Sequence, residues 1–513
     1  MPRSNFRRYG RRTAAIAATA SLAIVPLIAG AVPAQAATCN SPVRYASTSD
    51  TIYVTPGTVD TLTEIKAACP GAPLTLVDAV NKIWELNADL VIQGGAKLTL
   101  DGATGDVKIL RLQSLASGLR TDVTAITAQH GQIDITGTQI TSWTGTGPDT
   151  DAAVPSGGVR GRAFIRALSY LQSSTPRQST MNIVNSDLGY LGYNGAEAYG
   201  VAYKARGCGI EATSVCDVLN VLGRQTGSRF HHNFMGTYAW GGQAMLFDGN
   251  KYDNNKSYGL DPHDDSDYLT ITNNEFSNNS NHGLICSQRC DHLVITGNKS
   301  LDNGRTPYVG PGDDDPNDNQ VHGIMLHRGV TDTLVANNVV SGQINGGGIV
   351  IFDSVGNTVR DNTVTDNKYG LRFSVGTRDT LVTGNTVRNS SSFALYTYKG
   401  SDAPVYTGTS GRPAGINFTN NTFSGAGAEL FKVQDADRFT FTGGSITPGS
   451  LSRGPKFERS KGHVYDKTVI TPTGTTFTLR GTSTSKTDVT FQNMKSSAIK
   501  VSKDSYSTAR FTG

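Results

Sequence analysis

The decapeptide Ser257–Ser266, SYGLDPHDDS, puts Tyr258, Asp261, His263, Asp264 and Asp265 together in a chain otherwise rich in Thr, Val, Asn and Gly. These side chains suit proton transfer. An imidazole, with an ordinary pKa near ~6.5, takes or gives a proton at neutral pH. A phenol serves a reacting atom from a second direction, and a carboxylate orients a ring or holds a hydroxyl. Such groups work only if the fold holds them at one point.

An apolar residue followed three positions later by Asn recurs as Phe247/Asn250, Ile271/Asn274, Ile295/Asn298, Val335/Asn338, Val359/Asn362, Val382/Asn385 and Phe418/Asn421. Most steps are one unit of 23–24 residues, and the longer ones are one unit plus an insertion. Half a unit later stand YGLDPH, HGLICS, HGIMLH, GGIVIF and YGLRFS, each with apolar residues alternating after its Gly. Alternation with period two is strand. Short strands stacked on their equivalents in the next unit predict an all-β chain, a single right-handed parallel β-helix. The Asn residues are expected to form an inward ladder and to carry no chemistry.

Stacking on the Gly marks converts the sequence into a surface. Four after each Gly the outward column reads Lys204, Trp240, His263, Ser287, His327, Phe352, Ser374; two after, it reads Ala202, Tyr238, Asp261, Ile285, Met325, Val350, Arg372. Tyr258, His282 and His322 each precede their Gly and form a third row. Lys204, Tyr238, Trp240, Tyr258, His263 and His327 therefore converge within about 15 Å, at roughly 4.8 Å per coil. Aromatic rings suit sugar faces and cations suit carboxylates. This predicts a groove around residues 199–375 that takes an anionic polysaccharide.

The stretch resembles the mannuronan C5-epimerases of alginate biosynthesis, nearest their periplasmic type. YGLDPHD carries that family's Tyr-Gly-x-Asp-Pro-His signature, and LGYLGYNGAEAYGVAY, NHGLICSQR and HGIMLHR follow the same order around it. The resemblance implies a catalytic His263, with Tyr258 as partner in proton transfer, Asp261 in support, and an Arg on the substrate carboxylate. The periplasmic enzymes commonly have a basic residue where this chain has Asp265, and their Arg stands where it has Gln288. Arg289 is one residue late, and a bulge held by Cys286 and Cys290 would re-aim it; otherwise Arg328 takes the role. Lys204 is a third cation in reach. Substrate contacts are expected from Lys204, Tyr238, Trp240, His282, His322, His327 and Arg328. C5 of a uronate is α to a carboxylate, so losing its proton needs that carboxylate neutralised and a base placed. The choice of base between His263 and Tyr258 stays open at this stage. β-Elimination by a polyuronate lyase shares the first step, and a non-catalytic glycan-binding solenoid is the reading from another class.

The remaining chain supports an exported protein. Residues 1–36 combine arginines, an apolar run and Ala34-Gln35-Ala36, the pattern of a cleaved export signal. They hold five Arg and no acid, so the formal charge falls from +4 to −1 without them (41 basic, 42 acidic), and no nucleic-acid footprint remains. No later apolar run spans a bilayer. Six Cys fall into local pairs, 39/69, 208/216 and 286/290, which predicts disulfides and a secreted or otherwise extracytoplasmic setting. A capping helix is expected over PLTLVDAVNKIWELN, with Thr75 and Asp78 as capping box and Leu76, Val80, Ile83 and Trp84 as its apolar face, within an N-terminal cap and first coils at 37–110; the solenoid fills 111–513. No cofactor is expected. The insertion before His327 is a candidate lid, and its Asp313, Asp314, Asp315 and Asp318 are a candidate calcium site or a solvated acidic loop. The protein is expected to be a monomer.

Overall fold

Gly236, Gly259, Gly283, Gly323 and Gly348 recur because successive turns of backbone nearly touch: a Cβ on Gly259 would lie 2.5 Å from the carbonyl oxygen of Gly283, and one on Gly283 2.8 Å from that of Gly323. The computed structural model describes residues 39–114, 123–152, 161–209, 212–308, 321–399, 410–427, 429–450 and 453–513. The expected export signal and the Asp313–Asp318 stretch lie outside the described residues. Residues 37–513 form one compact unit.

One coil shows the plan. Leu260–His263 lies in a first sheet, Thr270–Thr272 in a second and Glu275–Ser277 in a third, before Leu284–Ser287 returns to the first. Among the described residues these sheets have 18, 15 and 15 strands, and nearly all pairings between coils are parallel. Leucine, valine, isoleucine and phenylalanine of all three sheets fill one continuous core.

The corners follow from residue type. The position before each ladder Asn has a left-handed backbone, and it is Gly or a short polar residue that tolerates it: Gly249, Asn273, Gly297, Asn337, Asp361, Gly384 and Asn420. The next side chain turns inward. Nδ2 of Asn250 donates to Oδ1 of Asn274 (3.0 Å), and the ladder runs on through Asn298, Asn338, Asn362 and Asn385 to Asn421. A second ladder, Asn255 to Asn279 to Asn303, lines the next corner with Nδ2–Oδ1 distances of 2.8 and 2.9 Å. The Asn-Asn pairs at 254–255 and 278–279 were its signal.

The N-terminal end differs from the expected helix. Residues of PLTLVDAVNKIWELN form two antiparallel strands, Leu74–Asp78 and Ile83–Leu86. Trp84 and Leu86 point inward at 2% and 0% exposure while Val80 is 90% exposed, a two-residue alternation that the apolar count concealed. Oδ1 of Asp78 accepts from the backbone N–H of Asn81, building a turn where a helix was expected. The helix instead covers Leu62–Ala68, with Thr61 and Glu64 as a complete capping box and Leu62 and Ile65 buried. The three expected disulfides are present, Cys39–Cys69, Cys208–Cys216 and Cys286–Cys290. Among the described residues no helix is long and apolar enough to cross a membrane.

Candidate active site

The outward columns have the register expected from the Gly marks. Lys204 pairs with Trp240, Trp240 with His263, His263 with Ser287, Ser287 with His327 and His327 with Phe352. Ala202 pairs with Tyr238 and Tyr238 with Asp261 in the neighbouring column. The first column is a stack of unlike groups: Lys204 Nζ lies 3.5 Å from the Trp240 ring centre, and Trp240 lies 4.9 Å from the His263 ring at 13°. Trp240 Nε1 donates to the Cys208 carbonyl at 2.8 Å, so the short disulfide loop fixes the indole that backs the imidazole.

His263 is held from its other side by a charge cluster. Its Nδ1 lies 2.6 Å from Oδ2 of Asp264; Oδ1 of Asp264 accepts from Nη2 of Arg289 at 2.5 Å, and Arg289 also binds both oxygens of Asp265, at 3.1 Å or less to each through its closer nitrogen. The side chains of Asp264, Arg289 and Asp265 are 4%, 13% and 15% exposed. The Asp264 carboxylate, bonded to Arg289 through its other oxygen, accepts from the imidazole, so Nδ1 carries the proton and the Nε2 lone pair is left for chemistry. Two carboxylates against one guanidinium leave one negative charge, which an imidazolium would neutralise.

Arg289 reaches this position without a bulge. The pairing of Leu284–Ser287 with Ile324–His327 is unbroken, and the turn comes from consecutive left-handed residues, Gln288 (φ 71) and Arg289 (φ 55), at the corner. Its guanidinium runs down onto the preceding coil, where Asp264 and Asp265 occupy it. Asp265 is one 24-residue coil before Arg289, so the basic-to-acidic departure at 265 and the displaced Arg are two halves of one ion pair. Asp264 and Asp265 were not among the expected site residues, and that coil spacing was the available signal. Arg328 stands one coil above Arg289, with its guanidinium 5.9 Å from the Phe352 ring centre.

Asp261 has the opposite environment. It is 2% exposed, and its Oδ1 has no hydrogen-bond partner. Burial pushes its pKa up to about 7, against the opposing effects of His263 and Ser287. Burial first, and then Asp261, raise the phenol of Tyr238 well above its usual value. Tyr258 packs beside Tyr238 and against Ile285 and Met325, with its ring 5.1 Å from His282.

The expected third row is present but lies deep. His282 and His322 are 1% and 3% exposed. Nδ1 of His282 accepts from the N–H of His322 (3.0 Å), and Nδ1 of His322 from that of Gly347 (2.9 Å). Burial lowers His282 to about 3, His322 well below its usual value and His327 to about 3. All three rings are neutral; His282 lies beside Tyr258, His322 lies 5.2 Å from His282, and His327 packs on Phe352.

Among the described residues, Cys208, Cys216 and Asp265 bring three metal-ligating atoms within 4.8 Å of one another. The two sulfurs are joined to each other, which leaves a single carboxylate, already held by Arg289.

The family model for the right-handed β-helix region matches residues 179–314 and 226–387, the coils that carry this groove. The solenoid is a right-handed β-helix. No curated protein sequence matches the chain. Among solved structures, the periplasmic alginate epimerase AlgG is similar at 19% identity and TM-score 0.60, over 82% of this chain and 85% of its own. The A-module of the Azotobacter vinelandii mannuronan C-5 epimerase AlgE4 matches at 13% identity and TM-score 0.32, over 82% of this chain and 91% of its own. A tailspike protein of bacteriophage CBA120 matches at 11% and 0.35, over 82% and 56%. These likenesses are of fold, and a β-helix hosts many reactions.

Proposed function

We propose that the β-helix is a polysaccharide-modifying enzyme, a C5-epimerase that converts β-D-mannuronate to α-L-guluronate within the polymer. The observation that carries this is the His263–Asp264–Arg289–Asp265 chain, which leaves an imidazole lone pair facing a groove of aromatic and cationic side chains. His263 Nε2 takes the C5 proton, and the electron pair of the C–H bond moves into the carboxylate. Arg328 or Lys204, the other cations of this face, stands on that carboxylate, while Arg289 binds Asp264 and Asp265. Asp261, near half-protonated at neutral pH, donates a hydrogen bond to the charge that develops there; a second ionised carboxylate in the same dry site would repel it. Tyr258 returns a proton to the opposite face of C5. The site resets when His263 passes its proton to the phenolate, directly or by giving it to solvent while the phenolate takes one from solvent.

AlgG and AlgE4 are named as epimerases, and the Tyr-Gly-Leu-Asp-Pro-His stretch supports the same reading here. Three disulfides suit an oxidising, extracytoplasmic setting, and AlgG is described as periplasmic. The reading needs no cofactor, and takes the protein as a monomer acting on an anionic polysaccharide.

The product decides the reaction. Poly-β-D-mannuronate incubated with the protein in D2O is expected to gain deuterium at C5 and α-L-guluronate residues at unchanged chain length, read by NMR and size exclusion. A lyase gives unsaturated ends absorbing in the ultraviolet and a fall in viscosity; that result without guluronate refutes epimerisation.

A further inference from the structure

Above the active site, the same face of the same sheet carries a second cluster with a different composition. The Asp261 column continues through Arg372, which pairs with Tyr396, which pairs with Lys432. Tyr369, Phe393, Tyr396 and Tyr398 crowd around them: Tyr369 lies 4.9 Å from Tyr396, Phe393 5.4 Å from Tyr396, and Tyr396 5.5 Å from Tyr398. Three cations lie against these rings. Lys368 is 5.4 Å from the Tyr369 centre, Arg372 is 4.8 Å from Tyr398, and Lys432 is 5.6 and 5.8 Å from Phe393 and Tyr396.

None of this is buried core. All seven side chains are half-exposed. Among the described residues, Lys368, Arg372 and Lys432 have no carboxylate partner, although Lys456, the next residue in the column, is paired with Glu429 and Glu458. Arg372 hydrogen-bonds the Tyr398 hydroxyl and keeps its Nε without a partner. Three positive charges without carboxylate partners, Arg372 and Lys432 two strands or about 10 Å apart, repel one another, and the stacked rings expose apolar faces to water. Both costs are relieved by a ligand that carries spaced negative charges and flat apolar faces.

We infer that Lys368, Arg372, Tyr396 and Lys432 form a distal binding site for an anionic polysaccharide chain whose reacting residue sits at His263. Asp261 and Arg372 are four strands apart, and Asp261 and Lys432 six, so the two sites are separated by roughly 20 to 30 Å. The buried apolar residues Ile285, Met325, Val350 and Phe352 form the flat floor between them. A polymer reaches both sites; a short oligomer reaches one. Tethering at the distal site raises the effective concentration of sugar residues at the first. The choice of a polyuronate as ligand rests on the function proposed above, whereas the anionic character of the ligand does not.

The test is binding, so it stands apart from turnover. Titration calorimetry on the full His263→Ala chain compares poly-β-D-mannuronate, polygalacturonate, a mannuronate trisaccharide and neutral dextran. Adding Lys368→Ala with Lys432→Ala is expected to weaken polymannuronate binding about tenfold and to flatten its salt dependence, with trisaccharide binding unchanged. Lys432→Glu is expected to weaken it further, and the Tm of each variant reports folding. Polymer affinity that is the same in the double variant and in Lys432→Glu overturns the site, as does equal affinity for dextran. If polygalacturonate alone binds, with the same dependence on Lys432, the distal site stands and the mannuronan reading falls. A failed D2O experiment with polymannuronate binding intact refutes epimerisation and leaves the distal site in place.

Discussion

At Leu260–His263 the outward column holds Asp261, buried, without a partner for Oδ1 and near half-protonated at neutral pH; four strands on, the same column holds Arg372, half-exposed and beside tyrosines. Both stand on one sheet of one repeat. They differ in what surrounds them. Beside His263 each carboxylate of the cluster meets a cation or an imidazole: Asp264 meets Arg289 and His263, and Asp265 meets Arg289. Around Arg372 the cations are met only by rings. A site that must change its own protonation state is built from buried, mutually balanced groups, because small displacements of charge there carry large energies. A site that only holds an anion leaves its charges unmatched and half-wet until the ligand arrives.

The contrast is sharpest at His263. His263→Ala is expected to lower turnover at least ~10³-fold, about 4 kcal/mol of transition-state stabilisation, with Tm unchanged within a degree or two. Tyr258→Phe is expected to do the same. Full activity in both, measured by guluronate formation, would move the chemistry elsewhere in the groove.

Arg289→Ala tests the balance itself. It leaves Asp264 and Asp265 facing one another, so turnover is expected to fall about 10²-fold and stability by about 2 kcal/mol. Arg289→Lys recovers only part, because one ammonium cannot bridge two carboxylates as a guanidinium does. Arg328→Ala is expected to cost less activity than Arg289→Ala and to leave stability unchanged. If Arg328→Ala costs more, the substrate carboxylate outweighs the cluster around His263.

The effect confined to high pH concerns Asp261. Its folded pKa, about 7, lies above the unfolded value near 3.8. A raised acid contributes its full stability below the unfolded pKa and loses it as pH rises through the folded one. Asp261→Asn is therefore expected to match the parent below pH ~4 and to exceed it by about 4 kcal/mol at pH ~9 in denaturant titrations. A difference independent of pH would mean that folding does not shift Asp261.

The repeat was legible because stacking imposes it locally. Each coil must place an inward Asn after a left-handed corner and a Gly where backbones nearly touch, so spacing alone returned the strands, the ladder through Asn250 and Asn421, and the register that sets Trp240 beside His263. The disulfide pairs were legible for the same reason, since their partners are near in sequence. The N-terminal end was not. Leu76, Val80, Ile83 and Trp84 fit a helical face as well as a strand pair, and an end coil has no neighbouring repeat to arbitrate; packing of Trp84 and Leu86 onto the next coil, together with the Asp78–Asn81 turn, decided it. The direction of Arg289 was likewise a tertiary outcome. Its residue type and its distance from Asp265 are written in the chain, but whether it serves the substrate or the two aspartates depends on the left-handed corner at Gln288 and Arg289. The neutrality of His282, His322 and His327 and the raised pKa of Asp261 are tertiary outcomes too, because burial causes them. Sequence determines which groups are present and at what spacing, whereas their protonation follows from the water that folding removes.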